Sequence, residues 1–349
     1  MMPDILSCLR LIRGVKSISW QGVLWYPIAI IVMLFGVDAY AQRSASSCID
    51  GATVVPLLGG NGDSPIVPVK IGSSPAAMFV SPALKHVFVR DHGTIWFPSG
   101  PMQQLRAQDG NIAVAEHTEI DNLEIGGVSL SAIPASLLDG DATHSAGGLP
   151  VLGLIGRDIL GHSEILLDVP HRKLALFHWH EGKGCGETPA SIFSDDVYDI
   201  PMDSDGGIRV RIGDTSTRLQ LDPDLAISVL PRSDAHDAGI SDKILSQDPH
   251  VTTRYESITV GERHRFQEVE IGNYTLSDFD FVVQNNIRNG ALGENFFEGV
   301  VALLDFPHGR FIFQSTEVRN DAPVLHLHFD ESRQGYTSVH EFQGVPEHR

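Results

Sequence analysis

The sequence has little that indicates long helices, a disulfide-rich scaffold or a basic surface. Gly (34) and Pro (20) are frequent among the 349 residues, and no stretch shows a sustained amphipathic helical pattern. Only three cysteines are present, and 25 Lys and Arg stand against 44 Asp and Glu. So acidic a chain repels nucleic acid and anionic membrane surfaces. The composition therefore favours a folded protein of many short strands and turns, with no nucleic-acid partner.

The N-terminal segment has the pattern of an export signal. Three basic residues precede the apolar run VLWYPIAIIVMLFGV, and the letters AYA at positions 39–41 form a small-x-small cleavage pattern. We therefore predict a signal peptide over residues 1–41 and a mature chain in the periplasm or secreted. The alternative is an uncleaved anchor, since the apolar run of about 15 residues is slightly short of a membrane span. Membrane contact is expected only in that case.

The cysteines suggest a single disulfide. Cys8 would leave with the signal peptide, so the mature chain would keep Cys48 and Cys185. An even count in a compartment that permits disulfides predicts that these two are bonded. Such a bond would attach the N-terminal arm to a Gly-rich segment near the middle of the chain.

The mature sequence contains an internal duplication in three ordered parts. VKIGSSPAAMFVSPALKHVFV aligns without gaps on VRIGDTSTRLQLDPDLAISVL, and LEIGGVSLSAIPASLL aligns on VEIGNYTLSDFDFVVQ. The third pair, LIGRDILGHSEILLDVPHRKLALF and ALGENFFEGVVALLDFPHGRFIF, shares the string Leu-Leu-Asp-x-Pro-His. Three matches in the same order make chance similarity an inadequate explanation, and the period is far longer than that of a solenoid. Each copy is therefore predicted to form one lobe.

The duplication also divides the chain. We place the lobes at 50–180 and 196–314, with a linker at 181–195 and a C-terminal extension at 315–349. Short alternating or apolar runs bounded by Gly, Asp and Pro predict strands in both lobes, while RDILG and ENFFEG each predict one helical turn. The extension resembles the opening of each copy and predicts a further hairpin.

These motifs resemble those of the retropepsin-type and pepsin-type aspartic peptidases. LIGRDIL followed by LLDVPHRKLALF is the most specific match, and LQLDPDLAISVLP is similar to the active-site strand and turn of that family. The resemblance covers both copies. It implies a mostly β, bilobal acid-protease fold, while activity is a separate question because function belongs to the site.

The resemblance also implies where the catalytic groups would lie, and the first copy lacks them. Such peptidases use two carboxylates, one from an Asp-(Thr/Ser)-Gly turn in each lobe, which share a proton and polarise a water molecule. The first copy has Ser81, Pro82 and Ala83 at this turn. It therefore has no acid, no hydroxyl at the second position and no glycine.

The second copy keeps one acid. Asp222 occupies the catalytic position, but Pro223 replaces the hydroxyl residue and Asp224 replaces glycine. We expect a tight turn to splay Asp222 and Asp224 apart, so that Asp224 does not readily replace the missing partner. In this family, repulsion between two carboxylates separates their pKa values, so that one acts as an acid and the other as a base. Without a second carboxylate, Asp222 has no partner to produce this difference.

Three functions remain open from the sequence. The first is a pseudopeptidase that binds an extended polypeptide between its lobes, and the second is a non-standard aspartic endopeptidase that uses Asp222. The third is a metal-binding periplasmic protein, which rests on the pairs His178/His180 and His326/His328, since alternate strand residues project from one face. The bland interpretation of these pairs is a polar face on edge strands. No cofactor and no metal site are expected under the first two functions.

Other polar residues have structural interpretations. Asp168 and Asp305 are expected to close strands beside a proline turn, and Asp158 is expected to cap the helical turn that contains it. A nucleophilic Ser81 with His86 or His92 as its base is conceivable, although closeness in sequence does not establish geometry.

Overall fold

A computed structural model of the chain describes residues 48–58, 64–106, 112–181, 185, 188–193, 197–252 and 259–316. The predicted signal peptide, the pair His326/His328 and all but the first two residues of the predicted C-terminal extension lie outside the described residues. The described residues belong to one compact unit that begins at Ser47. Within them, no helix has the length and apolar character needed to span a membrane.

Short strands dominate the described part of the first copy, as the alternating sequence pattern predicts. The elements in chain order are β1 (Ile49–Pro56), β2 (Ile66–Ile71), β3 (Ser74–Val80), β4 (Val87–Val89), β5 (Met102–Arg106), β6 (Ile112–Ile125), β7 (Val128–Leu137), β8 (Ser145–Ala146), β9 (Leu149–Ile155), helix α1 (Arg157–Leu160), β10 (Glu164–Asp168) and β11 (Lys173–Trp179).

The second copy repeats this order after a short 3-10 helix at Pro189–Ile192. Its elements are β12 (Val197–Pro201), β13 (Gly207–Ile212), β14 (Thr215–Leu221), β15 (Val229–Pro231), α2 (Arg232–Asp237), α3 (Asp242–Leu245), β16 (His250–Thr252), β17 (Thr259–Ile271), β18 (Tyr274–Gln284), β19 (Gly290–Leu292), α4 (Glu294–Phe297), β20 (Val300–Asp305) and β21 (Arg310–Ser315). The predicted helical turns at RDILG and ENFFEG are confirmed as α1 and α4.

Each copy closes into a six-stranded barrel. The first has the order β2-β3-β9-β4-β7-β6, closed by pairing of β2 with β6, and β5 extends it beside β6. The second has the order β13-β14-β19-β15-β18-β17, closed by pairing of β13 with β17, and β16 extends it. Closure removes the exposed edges that an open sheet would present. The predicted mostly β, two-lobe fold is confirmed.

A third sheet joins the two barrels. Its order is β1-β11-β10-β20-β21-β12, so three strands come from each half of the chain. The central pair, β10 and β20, is antiparallel, with Leu166 opposite Leu303. These two leucines are also equivalent in the duplicated Leu-Leu-Asp-x-Pro-His strings. An approximate twofold axis therefore passes through this pair.

The two faces of this interlobe sheet are both apolar but contact different parts of the chain. Because strand residues alternate between faces, Leu304 and Phe313 pack into the large core that includes the barrel strands. Leu303 and Ile312 point to the opposite, outer face, where Phe193 from the linker packs against them. The linker thus shields a face that would otherwise be open to water.

The hairpins at Ile125 and Ile271 reach this sheet as well. Gly126 has φ +57° and Gly272 has φ +62°, a backbone conformation that residues with a Cβ rarely adopt. A Cβ on Gly126 would also lie 2.3 Å from the Thr53 side chain, and one on Gly272 would lie 2.4 Å from Ile200. The glycine after each isoleucine therefore serves both the turn and its packing.

Two details differ from the sequence expectations. His178 lies on β11, which pairs with β1 and with β10, so the expectation of an edge strand is wrong for this pair. His178 and His180 are exposed, and His180 Nδ1 lies 3.2 Å from Asp50 Oδ2. In addition, the first and last strands of both predicted lobes pair in the interlobe sheet. The two barrels are therefore separate, but the lobes share this sheet.

The predicted disulfide is present. Cys48 and Cys185 are bonded, with their Cα atoms 5.7 Å apart and a sequence separation of 137. Cys48 is buried against the outer face of the interlobe sheet. The bond therefore attaches the linker to the sheet that it covers.

We expect the double change Cys48→Ser and Cys185→Ser to lower the free energy of unfolding by about 2–5 kcal/mol, since the bond restricts the unfolded chain over a long loop. Guanidinium unfolding of the variant and the parent protein measures the difference. Alkylation of the unreduced, denatured parent followed by mass spectrometry is the control. Two alkylated cysteines in that sample would contradict the assignment.

Candidate functional site

Two equivalent turns meet where the lobes face each other. Ser81 directly follows β3, and its N–H donates to the carbonyl of Ile155 at 3.1 Å. Asp222 directly follows β14, and its N–H donates to the carbonyl of Leu292 at 2.9 Å. In each copy the accepting residue is the apolar member of an equivalent apolar-Gly pair, which is Ile155-Gly156 in the first copy and Leu292-Gly293 in the second. The two turns therefore start from the same backbone arrangement.

The path beyond the two residues is also shared. Leu84 N–H donates to the Ser81 carbonyl at 3.2 Å, and Leu225 N–H donates to the Asp222 carbonyl at 3.1 Å. The first residue of α1 and the first residue of α4 also bind these turns. Arg157 N–H donates to the Leu84 carbonyl at 2.8 Å, and Glu294 N–H donates to the Leu225 carbonyl at 2.6 Å. The duplication has thus preserved both backbone turns, although it preserved a carboxylate in only one.

Close backbone packing explains the glycine of each apolar-Gly pair. A Cβ on Gly156 would lie 2.3 Å from the carbonyl oxygen of His86, and one on Gly293 would lie 2.6 Å from that of Leu225. Backbone atoms cannot give way as a flexible side chain can. These glycines therefore position the strands that receive Ser81 and Asp222.

Ser81 and Asp222 face each other across the lobes. The Ser81 hydroxyl donates to Asp222 Oδ1 at 3.4 Å, and both residues are buried. This distance is long for a hydrogen bond from a hydroxyl, so the contact is weak. Where the resemblance implies a second carboxylate, the structure has a neutral hydroxyl.

The environment of Asp222 favours its neutral form. Burial raises the pKa of Asp222 to about 6, while the Asp224 N–H, the Ser81 hydroxyl and the charge of Arg157 act in the opposite direction. The contacts that favour the carboxylate are therefore too few to offset the loss of water. Asp222 titrates near neutral pH rather than in the acidic range of an exposed aspartate.

Asp224 is the second acid of the same turn. It is half-buried, and burial together with the negative charge of Asp222 holds its pKa well above the usual range. Its carbonyl accepts a hydrogen bond from Ser64 Oγ at 2.6 Å, a contact between the two lobes. From the sequence, the turn is expected to direct the Asp224 side chain away from Asp222. In the structure the two carboxyl groups nevertheless influence each other's ionisation.

Arg157 is a site residue that the sequence argument missed. Its guanidinium donates to the carbonyls of Pro82 at 2.9 Å and Ala83 in the first turn, and to the carbonyl of Asp205 at 3.1 Å in the second copy. One side chain therefore holds the degenerate turn and joins the lobes. Its position directly after the glycine in GRDIL was the available signal.

A polar network supports the second turn only. The N–H and hydroxyl of Ser228 donate to Asn295 Oδ1 at 2.8 and 2.7 Å, and Ser228 Oγ accepts from Gly293 N–H at 2.9 Å. In the aligned first copy, Val87 and Asp158 stand where Ser228 and Asn295 stand. The surroundings of Asp222 thus keep a hydrogen-bonded support that the Ser81 turn does not share.

The remaining candidates do not gather at this site. Asp158 does not cap α1, whose N-cap is Gly156, so that expectation is wrong; its Oδ2 lies 2.8 Å from His86 Nδ1 instead. His92 Nδ1 lies 2.7 Å from the carbonyl of Ala142. Both histidines are thus engaged elsewhere, while the Ser81 hydroxyl contacts Asp222.

Comparisons with known proteins agree with this arrangement. A family model described as Aspartyl protease matches residues 208–296, which contain Asp222 and most of the second barrel. A search of curated proteins gives no match. Among solved structures, the crystal structure of an aspartic proteinase from Irpex lacteus matches with a TM-score of 0.50 and 12% sequence identity.

That alignment covers 78% of this chain and 99% of the fungal protein. At such low identity the match establishes the fold, and the activity of the fungal enzyme is not transferred by it. Two closed six-stranded barrels, the shared interlobe sheet and the paired turns agree with the same fold. The chain therefore has the aspartic-peptidase fold in a duplicated two-lobe form, and its second lobe matches the family model described as Aspartyl protease.

Proposed function

We propose that this protein is an exported pseudopeptidase that holds an extended polypeptide between its two lobes without hydrolysing it. One observation carries the proposal: the residue that faces Asp222 across the lobes is Ser81, whose hydroxyl lies 3.4 Å from the Asp222 carboxyl group. The position that requires a second acid is filled by a neutral side chain.

The chemistry of the family explains why this exchange matters. Two carboxylates at contact distance cannot both ionise, so one stays protonated as an acid and the other acts as a base towards the attacking water. A serine hydroxyl can donate a hydrogen bond, but near neutral pH it is neither acid nor base. Loss of a group that acts as part of a unit reduces the rate by about 10³-fold or more.

Peptide binding is supported by features that do not depend on the acid pair. Strand β5 is the last strand of its sheet among the described strands, and Gln104 on β5 lies opposite Val114 on β6. Met102 and Val114 are exposed apolar residues on this hairpin. An extended peptide can add to such a strand through backbone hydrogen bonds, while exposed side chains select its residues.

Export is the second part of the proposal. The disulfide between Cys48 and Cys185 suits an oxidising compartment, and the N-terminal pattern is that of a signal peptide. We therefore assign the protein to the periplasm or the extracellular space, with a polypeptide as its partner.

A second candidate function is peptide hydrolysis based on Asp222. The coupled ionisation of Asp222 and Asp224 favours it, since the charge of Asp222 raises the pKa of Asp224 and two unequal carboxyl groups could supply an acid and a base. Both groups belong to one turn, however, and not to opposite lobes. For this reason the pseudopeptidase is the better supported function.

A metal-binding role through the two histidine pairs has less support. His178 lies near the end of β11 and His180 directly after it, and both are exposed. The other pair lies outside the described residues.

We expect the purified mature protein to show no pepstatin-sensitive peptide hydrolysis between acidic and neutral pH, because that inhibitor imitates an intermediate held between two carboxylates. A fluorogenic peptide library at several pH values provides the measurement. The control is Asp222→Asn. Hydrolysis by the parent protein that disappears in this variant would establish the endopeptidase instead.

Restoring both turns provides a gain-of-function test. The combined changes Ser81→Asp, Pro82→Thr, Ala83→Gly, Pro223→Thr and Asp224→Gly add one acid, two hydroxyls and two glycines. With the native Asp222, both turns then have the groups that the chemistry uses. We expect this variant to gain slow pepstatin-sensitive hydrolysis, while Ser81→Asp alone does not. Equal activity of the two variants would show that the Asp222 turn is already competent and only one acid was missing.

The raised pKa of Asp222 predicts a specific dependence of stability on pH. The neutral carboxyl is favoured in the folded protein, so its contribution is complete below about pH 4 and is lost as the pH rises through about 6. Asn remains neutral throughout. Asp222→Asn should therefore gain stability relative to the parent on going from pH 4 to pH 8, by on the order of 2–3 kcal/mol.

Guanidinium unfolding of both proteins at the two pH values measures this change. Asp214→Asn, in the exposed turn between β13 and β14, is a matched control that should show no such trend. A difference between parent and Asp222→Asn that stays constant across the pH range would show that Asp222 is ionised throughout.

A further inference from the structure

A buried acid pair lies on the interlobe sheet, on different strands from the two turns. Glu164 begins β10 and Asp305 ends β20, and the two residues are directly opposite in the antiparallel pair. Glu164 is 1% exposed and Asp305 is 0% exposed. Like charges in direct cross-strand contact are destabilising, and burial increases that cost.

The direction of these side chains places them outside the cleft. Residues of one parity on a strand share a face, so Glu164 points to the same side as Leu166, and Asp305 to the same side as Leu303. Leu166 and Leu303 pack with the linker on the outer face of the sheet. The Glu164 carboxylate also accepts from the Trp179 N–H at 3.0 Å, next to the described end of β11.

His308 completes the cluster. Its Nδ1 lies 2.8 Å from Asp305 Oδ1, 3.0 Å from Asp305 Oδ2 and 3.7 Å from Glu164 Oε1. One ring nitrogen, with at most one proton, thus faces three carboxylate oxygens. His308 is a quarter exposed, and Glu181 lies 3.9 Å from its other ring nitrogen. The cluster is therefore reachable from solvent through an acidic opening.

Among the residues that the structure describes, His308 is the only basic side chain paired with Glu164 or Asp305. The two carboxylates carry two negative charges when ionised, and a protonated imidazole supplies one positive charge. Both carboxyl groups are buried and lie opposite each other on neighbouring strands, so two adjacent negative charges there would be costly away from water. A divalent cation would balance both carboxylates without a proton on either.

The spacing fits such an ion. One ligand atom from each of Glu164, Asp305 and His308 can be chosen so that all three lie within 4.8 Å of one another. Bonds of about 2.0–2.2 Å to oxygen and nitrogen require ligand atoms roughly 3.0–3.5 Å apart. His308 Nδ1 lies 2.8 Å from Asp305 Oδ1 and 3.7 Å from Glu164 Oε1, so small side-chain shifts would reach this spacing. We propose that Glu164, Asp305 and His308 bind a first-row divalent cation such as Zn²⁺, with water completing its coordination.

The duplication contains a natural comparison for this site. The equivalent turn of the first copy pairs Asp168 Oδ1 with His171 Nδ1 at 2.7 Å. The residues opposite the two aspartates differ, however. Asp168 lies opposite Val301 on the neighbouring strand, whereas Asp305 lies opposite Glu164. The Asp-His contact by itself therefore belongs to the turn, and only the copy with Glu164 has the third ligand.

Metal binding by the purified protein tests the proposal. After treatment with a chelator and dialysis, we expect about one equivalent of Zn²⁺ to bind in isothermal titration calorimetry and to raise the thermal unfolding midpoint. Co²⁺ in its place should give visible d–d absorption without a thiolate band, as oxygen and nitrogen ligands do. Glu164→Gln and His308→Gln should each weaken binding by at least about tenfold.

Three controls decide the outcome. His171→Gln should bind Zn²⁺ as the parent does, because it alters the copy without the third acid. Loss of binding in the double variant His178→Gln and His180→Gln, but not in Glu164→Gln, would assign the metal to the exposed histidine pair and overturn the proposal. Stoichiometry below one equivalent in the parent would overturn it as well. His308→Gln keeps the test valid if Glu164→Gln fails to fold.

Discussion

Strands β10 and β20 lie side by side at the centre of the interlobe sheet, with Leu166 opposite Leu303, and the rest of the structure depends on this pairing. It relates the two copies by an approximate twofold axis and forces their barrels to face each other. Because the following strands extend the sheet on both sides, each copy contributes the same elements to the same surface. The two turns can meet only because this sheet holds the barrels in register.

The symmetry is strong in the backbone and weak in the side chains. Both turns make the same hydrogen bonds to the strand that contains the apolar-Gly pair, yet one ends in Ser81 and the other in Asp222. Backbone geometry is constrained by packing, since a Cβ on Gly156 or Gly293 would collide with a carbonyl oxygen. The two turns therefore keep the same backbone path with different side chains, and fold and site chemistry are separate properties.

The same asymmetry appears on the outer face of the interlobe sheet. There, one of two equivalent Asp-His turns has gained a buried carboxylate at Glu164, and the other has Val301. At the inner site one turn has Ser81 where the other has Asp222, and at the outer site only one of the two turns faces a carboxylate on the neighbouring strand. A duplicated scaffold provides two versions of each position, and each version can be adapted separately.

Several elements were predictable because their signals are local. The strand-turn-helix order of each copy follows from alternating apolar residues and from the glycines that end them, and α1 and α4 lie where RDILG and ENFFEG predicted them. The disulfide followed from an even cysteine count in a mature chain that is predicted to be exported. The role of Asp158 was predicted wrongly, because the N-cap of α1 is Gly156 and Asp158 lies inside the helix, where its carboxylate contacts His86, a residue distant in sequence.

The sequence by itself determined the duplication, the mostly β fold and the presence of Ser81 where the second copy has Asp222, because these depend on the identity and order of residues along the chain. Only the tertiary structure decided that Arg157 bridges the lobes, that Asp222 and Asp224 influence each other's pKa, and that Glu164 lies against Asp305. The physical reason is register: pairing between strands far apart in the sequence sets which side chains meet. A shift of one residue in the pairing of a strand would turn its side chains to the opposite face of the sheet.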